Sequence, residues 1–200
     1  MTDTNQTIYA VTGATGHLGG HIVRQLLAHA APEQIVAIVR DADKAQNLTG
    51  LGMTVRVADY DDPASLIQAL NGVQRLLLVS SNELAVSRSE QHIRVIDAAK
   101  AAGVGYVGYT SILHADTTTN VLAPDHKATE AYLAASGMQY SLLRHGWYTE
   151  NYVDTVQNAK QSGTILTSAA DGRVSSASRV DYAAADVQAL VNDTTNTTYA

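Results

Sequence analysis

The stretch Thr12-Gly13-Ala14-Thr15-Gly16-His17-Leu18-Gly19 follows directly on the short apolar run Ile8-Tyr9-Ala10-Val11. Glycines three apart at the end of a strand, leading into an amphipathic helix, leave few folds open. Gly13 permits the tight turn, Gly16 lets backbone approach an anion, and Gly19 lets the helix pack close to the strand. The first amides of that helix, near His17 and Leu18, then point at the anion with the helix dipole behind them. Ile22, Val23, Leu26 and Leu27 continue with helical spacing. Pro32 is expected to close the helix, and a second strand follows from Gln34 to Val39. A strand–helix–strand unit of this length is built to hold a dinucleotide pyrophosphate.

The alternation continues. Strands are expected at 8–11, 34–39, 54–58, 75–79, 105–110 and 138–143, and helices at about 17–30, 43–50, 63–70, 88–102 and 125–136. The runs Ile35-Val36-Ala37-Ile38-Val39 and Leu76-Leu77-Leu78-Val79 are continuously apolar, as strands covered on both faces are. Gly103 and Gly137 stand where helix stops are needed. This is the pattern of an α/β chain with a doubly wound parallel sheet, the NAD(P)-binding Rossmann fold, which takes its ligand at the carboxyl ends of the strands.

After Trp147 the pattern changes. A helix-like stretch runs to about Lys160, followed by Thr164-Ile165-Leu166, a turn at Asp171-Gly172 and a helix from Asp181 to Val191. Residues 196–200 are rich in β-formers, as if another strand begins there. The expected division is residues 1–146 as an NADP-binding domain and 147–200 as a small, incomplete C-terminal substrate lobe.

Composition narrows the function classes. The 200 residues are 46% hydrophobic and 16% charged, enough for a sizeable core. A net charge of −6 argues against nucleic acid or an anionic membrane as the main partner. The absence of cysteine excludes disulfides, thiolate metal sites and a cysteine nucleophile. No apolar run approaches the ~18 residues of a membrane span. The polar start Thr2 to Thr7 lacks a signal-peptide core, so a cytoplasmic protein with a short tail is expected.

Cofactor preference is read at the end of the second strand, where an acid selects NAD and a basic residue accepts the 2′-phosphate of NADP. Arg40 holds that position, with Lys44 a turn further on and Asp41 directly after the tip. A guanidinium suits bidentate phosphate binding, so NADP is expected over NAD; the other reading is two solvated surface cations. Asp59-Tyr60, ending the third strand, flank the adenine, unless Asp59 is instead the cap of the helix opening at Pro63.

Several segments carry a family resemblance: Thr12–Gly19, Ile35–Arg40, Val57–Tyr60, Leu76–Ser81, Tyr109-Thr110-Ser111 and Arg144-His145-Gly146-Trp147-Tyr148-Thr149-Glu150-Asn151-Tyr152. Over residues 7–192 the chain resembles the NmrA-like atypical short-chain dehydrogenases. The resemblance implies NADPH, with Gly13, Ala14, Thr15, Gly16, His17 and Leu18 on the pyrophosphate and Arg40 on the 2′-phosphate. It places Ser80, Ser81 and Asn82 along the ribose–nicotinamide half and brings the end of the fifth strand, Tyr109 to Ser111, to the nicotinamide. Residues Arg144, His145, Gly146, Trp147, Tyr148 and Thr149 would line the nicotinamide and the substrate cleft. Members of the family have a longer C-terminal lobe, and this chain stops where that lobe's next strand would start.

Ordinary short-chain dehydrogenases use Tyr-x-x-x-Lys on the helix after the fifth strand, the lysine lowering the pKa of the tyrosine acid. Here Lys127 precedes Tyr132 by five residues, so order and spacing are both wrong for alcohol–ketone or epimerase chemistry. Quinone reduction suits the gap, because hydride passes to a strong electrophile and the reaction needs positioning more than acid–base help. The cleft expected for it is formed by Ser80–Asn82, Ser111–His114 and Trp147–Asn151. His114, His126 and Tyr148 are the candidate catalytic groups, each histidine being a proton source or a polar wall residue. Trp147 and Tyr148 are a stacking surface or core packing, and Asn151 belongs with them on the substrate side. Arg179 reaches an anionic group or pairs with Asp181. His17 and His21 share a helix face at a metal-compatible spacing without a third ligand in reach, so no metal is expected. No Gly-x-Ser-x-Gly nucleophile elbow occurs. The expected function is an NADPH-dependent reductase of quinones or similar electrophiles. A non-catalytic dinucleotide-binding redox sensor is the second reading and an epimerase relative the third. A homodimer through the Ala-rich helices at 88–102 and 125–136 is a further expectation.

Overall fold

The computed structural model describes residues 7–83, 87–165 and 171–200. Most of the polar start and the Leu166 end of the 164–166 run lie outside the described residues. The strands are β1 (Tyr9–Val11), β2 (Ile35–Val39), β3 (Thr54–Val57), β4 (Arg75–Leu78), β5 (Tyr106–Ile112), β6 (Gln139–His145), β7 (Trp147–Tyr148), β8 (Ser176–Ala177) and β9 (Thr197–Tyr199). The helices are α1 (His17–Leu26), α2 (Gln46–Thr49), α3 (Pro63–Leu70), α4 (Arg88–Ala101), α5 (Ala123–Ala135), α6 (Val153–Ser162) and α7 (Arg179–Asn192).

Seven strands form one sheet in the order β3-β2-β1-β4-β5-β6-β9, every pair parallel. This is the doubly wound order, with its reversal between β1 and β4, where such sheets bind ligands. The continuous apolar runs are explained by burial on both faces. Ala10, Val36, Ile38, Leu76 and Leu78 face the layer of α3, α4 and α5. Their neighbours Tyr9, Val11, Ile35, Ala37, Val39 and Leu77 face α1 and α7. Removing one such Leu or Ile side chain to Ala costs about 2–5 kcal/mol. The two edge strands, β3 and β9, are largely open to solvent.

The expected elements stand within a few residues of those observed, with three instructive differences. The first helix ends at Leu26 and passes through a turn, and Pro32 opens a short 3-10 turn instead of closing that helix. The helix expected at 43–50 is a 3-10 turn followed by only one helical turn, α2. Helices α4 and α5 pack beside each other on one face of the sheet. Finally, the packing does not divide at residue 147. Helix α7 packs along α1, and β9 pairs with β6 from Ser141↔Thr197 to Leu143↔Tyr199, so residues 179–199 belong to the sheet's own layers. The segment standing off the sheet is formed by β7, α6 and β8, with β7 and β8 pairing separately as Trp147↔Ser176 and Tyr148↔Ala177.

Candidate functional site

At the carboxyl ends of β1, β2 and β4 lies a cleft of about 340 Å3, lined by Gly13, Thr15–Gly19, Ile38–Asp41, Lys44, Ala58–Tyr60, Val79–Glu83 and Gln91. Gly13 turns the chain with φ +60°, a conformation side chains disfavour. A Cβ on Gly16 would lie 3.1 Å from the Gly13 carbonyl oxygen, and one on Gly19 only 2.3 Å from it. The glycines are therefore required by the close return of backbone on backbone. No side chain caps α1 at Gly16, and its first turn holds no acid. The amides of His17, Leu18 and Gly19 have no intrahelical acceptor by helix geometry, so this end presents donors and positive dipole to the cleft. Donors and dipole at an open helix end fit the pyrophosphate of a dinucleotide.

The far wall carries the cations. Arg40, at the tip of β2, makes an exposed 3.0 Å ion pair with Glu83, and Lys44 stands 3.6 Å from Asp41. Solvated pairs of this kind are weak and exchange readily for a stronger anion. Asp59 does not cap α3. Its carboxylate accepts the Asp61 amide, while Asp62 caps the helix by accepting from Ala64 and Ser65. Tyr60 forms part of the floor, its hydroxyl donating to the Val79 carbonyl at 2.7 Å and standing 2.5 Å from Thr12 Oγ1. Burial pushes its phenol well above the usual range, so it stays neutral.

The Ser80–Glu83 loop is fastened from below. Ser80 N–H donates to Thr110 Oγ1, Ser81 N–H to His92 Nε2 at 2.8 Å, and Ser81 Oγ–H to Gln91, which in turn donates to Asp61. These bonds correct three expectations. Tyr109 is fully buried, its hydroxyl shared between His92 Nδ1 (3.2 Å) and His126 Nδ1 (2.8 Å). Thr110 and Ser111 are also buried, and the Ser111 hydroxyl donates to Glu130 at 2.6 Å. All three support the cleft from beneath and do not line it. Ala14 is likewise buried, its amide bonded to the Ile38 carbonyl.

Among the catalytic candidates, His126 is withdrawn into the core, where desolvation lowers its pKa to about 4, helped by the Arg88 charge. It is neutral at physiological pH and out of reach of a substrate. His114 is an exposed turn residue with φ 56°, whose carbonyl accepts from Thr117 and Thr118; it does not line the cleft. Tyr148 is half-buried, its hydroxyl 3.0 Å from His145 Nδ1. Its phenol is raised by burial, then by Asp186.

The end of β6 is equally engaged. Arg144 clamps Glu130 with two bonds, of 3.0 and 2.7 Å, and reaches Asp116 at 3.1 Å. Glu130 holds that guanidinium more firmly protonated. His145 Nε2 lies 2.8 Å from Asp186, and Gly146 N–H donates to the Tyr182 hydroxyl. Thr149 meets Ser176 at 3.2 Å. Trp147 is half exposed, edge-on to Tyr152. Arg179 lies over the Tyr148 ring, bonds Asn151 and pairs with Glu150, not with Asp181, whose carboxylate accepts from the cap residue Ser178. Tyr132 bonds Asp97 on the outer face, away from any cleft. Among the described residues no three His, Asp or Glu side chains gather as metal ligands, and no helix is long and apolar enough to cross a membrane.

Residues 13–193 match the family model described as NAD(P)H-binding. The chain belongs to that family. It is 51% identical to quinone oxidoreductase 2 of Escherichia coli over 181 residues, 90% of this chain and 63% of that protein. An NmrA-like family domain-containing oxidoreductase of Aspergillus flavus is 32% identical over 92% of this chain and 61% of its own. The chain thus spans about three fifths of these relatives' length. Among solved structures, the Escherichia coli NADPH-dependent quinone oxidoreductase complexed with NADPH superposes with a TM-score of 0.92 at 48% identity, over 96% of this chain and 68% of that one. A Citrobacter triphenylmethane reductase gives the same TM-score and coverages at 37% identity.

Sequence reasoning missed Glu83, Gln91 and Asp61, because nothing local marks a residue that acts by meeting another 30 or 43 positions away. It also missed Asp186, whose partner His145 lies on another element.

Proposed function

We propose that this chain binds NADPH in the glycine-cradled cleft and delivers its hydride to quinones or similar electrophiles. The observation that carries the reading is Arg40 at the tip of β2, facing the cleft opened by Gly13, Gly16 and Gly19. The 51% identity to a quinone oxidoreductase supports the choice of acceptor. The bound cofactor supplies two electrons and a hydrogen from its nicotinamide. The amides of Thr15, His17 and Leu18 hold the pyrophosphate, the Gly16 amide being spent on the Gly13 carbonyl, and Arg40 and Lys44 exchange Glu83 and Asp41 for the 2′-phosphate. Asp59 accepts from the adenine amino group over the Tyr60 ring, and Ser80, Ser81 and Asn82 follow the ribose toward the nicotinamide. Residues 146–151, with Arg179, form the wall nearest the acceptor: Trp147 and Tyr148 offer it a flat surface, Asn151 and Arg179 polar contacts.

The test is NADPH oxidation by the purified protein, followed by near-ultraviolet absorbance, with and without a simple benzoquinone and with NADH in parallel. Quinone-dependent oxidation that favours NADPH is expected. Tight NADPH binding without turnover on any benzoquinone or naphthoquinone would refute the reductase and favour a redox sensor.

A further inference from the structure

Three side chains outside the cofactor cleft form a continuous chain of hydrogen bonds. Asp186 Oδ1 lies 2.8 Å from His145 Nε2, and His145 Nδ1 lies 3.0 Å from the Tyr148 hydroxyl. Asp186 is 1% exposed and His145 6%, while Tyr148 is half-buried at the base of the stand-off segment beside the half-exposed Trp147. The imidazole is fixed in orientation by the Tyr182 ring stacked on it at 4.3 Å, and Tyr182 is itself held by the Gly146 amide. Among the described residues Asp186 Oδ2 has no hydrogen-bond partner. A buried carboxylate with one unsatisfied oxygen is costly, and desolvation raises the Asp186 pKa, so this acid readily takes up a proton.

We propose that Asp186, His145 and Tyr148 are a proton-delivery chain that stores one proton on the Asp186–His145 pair and releases it to the reduced acceptor through the Tyr148 hydroxyl. Before it is loaded the chain is anionic: Asp186 is a carboxylate, His145 carries its proton on Nε2, and Tyr148 donates to Nδ1. With one more proton taken from solvent, Asp186 is a carboxylic acid and Nδ1–H donates to the tyrosine oxygen, which frees the Tyr148 O–H to face outward. When hydride has reduced the acceptor by two electrons, Tyr148 gives its proton to the new oxyanion. Nδ1–H passes to the tyrosine oxygen, the Asp186 proton passes to Nε2, and the anionic chain with Asp186 as a carboxylate is restored. No residue of the chain changes oxidation state. Tyr148 is the catalytic group; His145 and Asp186 act through it. Other groups around the chain are Arg179 over the Tyr148 ring, Glu150 beside it, Tyr182 of α7, and His126 of α5 on the far side of His145.

The inference rests on the reductase reading, and two acceptors separate their failures. A quinone needs a proton after hydride transfer; a cationic triarylmethane dye becomes neutral on accepting hydride and needs none. Tyr148→Phe is expected to lower the ratio of quinone to dye turnover by about tenfold or more, a floor set below the usual ~100-fold of general acid catalysis because a quinol oxyanion is weakly basic. Asp186→Asn should lower the same ratio and remove the fall in quinone kcat on the alkaline side, where the stored proton is lost. Without any cofactor, an infrared pH titration should contain an Asp186 carboxyl change, above the ordinary carboxylate range, that Asp186→Asn abolishes. Equal slowing of both acceptors, or an infrared difference unchanged by Asp186→Asn, overturns the chain while leaving the reductase standing. A wild-type protein that reduces neither acceptor overturns both.

Discussion

The two halves of the sheet's carboxyl edge solve opposite problems. Over β1, β2 and β4 the polar groups are left open: an uncapped helix end, a glycine cradle, and cations held only by exposed, exchangeable acids. Over β5 and β6 nearly every polar group is closed on another: Tyr109 with His92 and His126, Ser111 and Arg144 with Glu130, His145 with Asp186 and Tyr148. Open groups await a ligand, whereas closed ones hold backbone in place. The two are joined by the Ser80–Ser81 loop, which lines the open half and hangs from His92 and Thr110 of the closed one.

The closed half should break first in acid. Desolvation lowers His92 to about 3 and His126 to about 4, against 6.5 for the ordinary imidazole. Between those values the unfolded chain binds protons that the folded chain refuses. Stability is therefore full above about pH 6.5 and is lost as pH falls toward 4 and then 3. From pH 7 to 4.5 the loss should be on the order of 4 kcal/mol, read from urea midpoints. A flat profile would mean that these imidazoles are not buried neutral.

The open half should break at a single methyl group. Gly19→Ala places a carbon against fixed backbone, and NADPH affinity should drop by about 100-fold, equivalent to about 2.7 kcal/mol. A titration within threefold of wild type would show that the cradle has room to spare.

Arg144→Met sharpens the contrast. The Glu130 carboxylate, 9% exposed, loses its bidentate partner, at a cost of about 2 kcal/mol in chemical denaturation. This is below the value for a fully buried pair, because Arg144 also reaches the exposed Asp116. NADPH affinity should change much less than in Gly19→Ala, and an equal loss would place Arg144 on the cofactor.

The same contrast explains what could be read from the chain beforehand. Gly13, Gly16, Gly19, Arg40 and the apolar runs of β2 and β4 act through neighbours or through a fixed periodicity, so their places at the cleft and in the sheet were legible. Tyr109, Ser111, His126 and Arg144 also stood out, but their partners lie on other elements, and what looked like a cofactor wall is the support beneath it. Asp186 carried no local signal, because a lone acid in the Ala-rich α7 reads as surface until the fold turns it inward. The C-terminal β-formers were legible as a strand, but their pairing with β6 depends on α7 packing along α1.

The most direct test of the account is a side-by-side titration of wild type and Arg40→Ala with NADPH and NADH, read by nicotinamide fluorescence. Wild type should bind NADPH about tenfold or more tighter than NADH, as expected for loss of a charge-assisted contact worth about 1.5–3 kcal/mol. Arg40→Ala should bring the two cofactors level by weakening NADPH alone. Equal affinities in wild type, or a preference that survives Arg40→Ala, would contradict the assignment of this cleft.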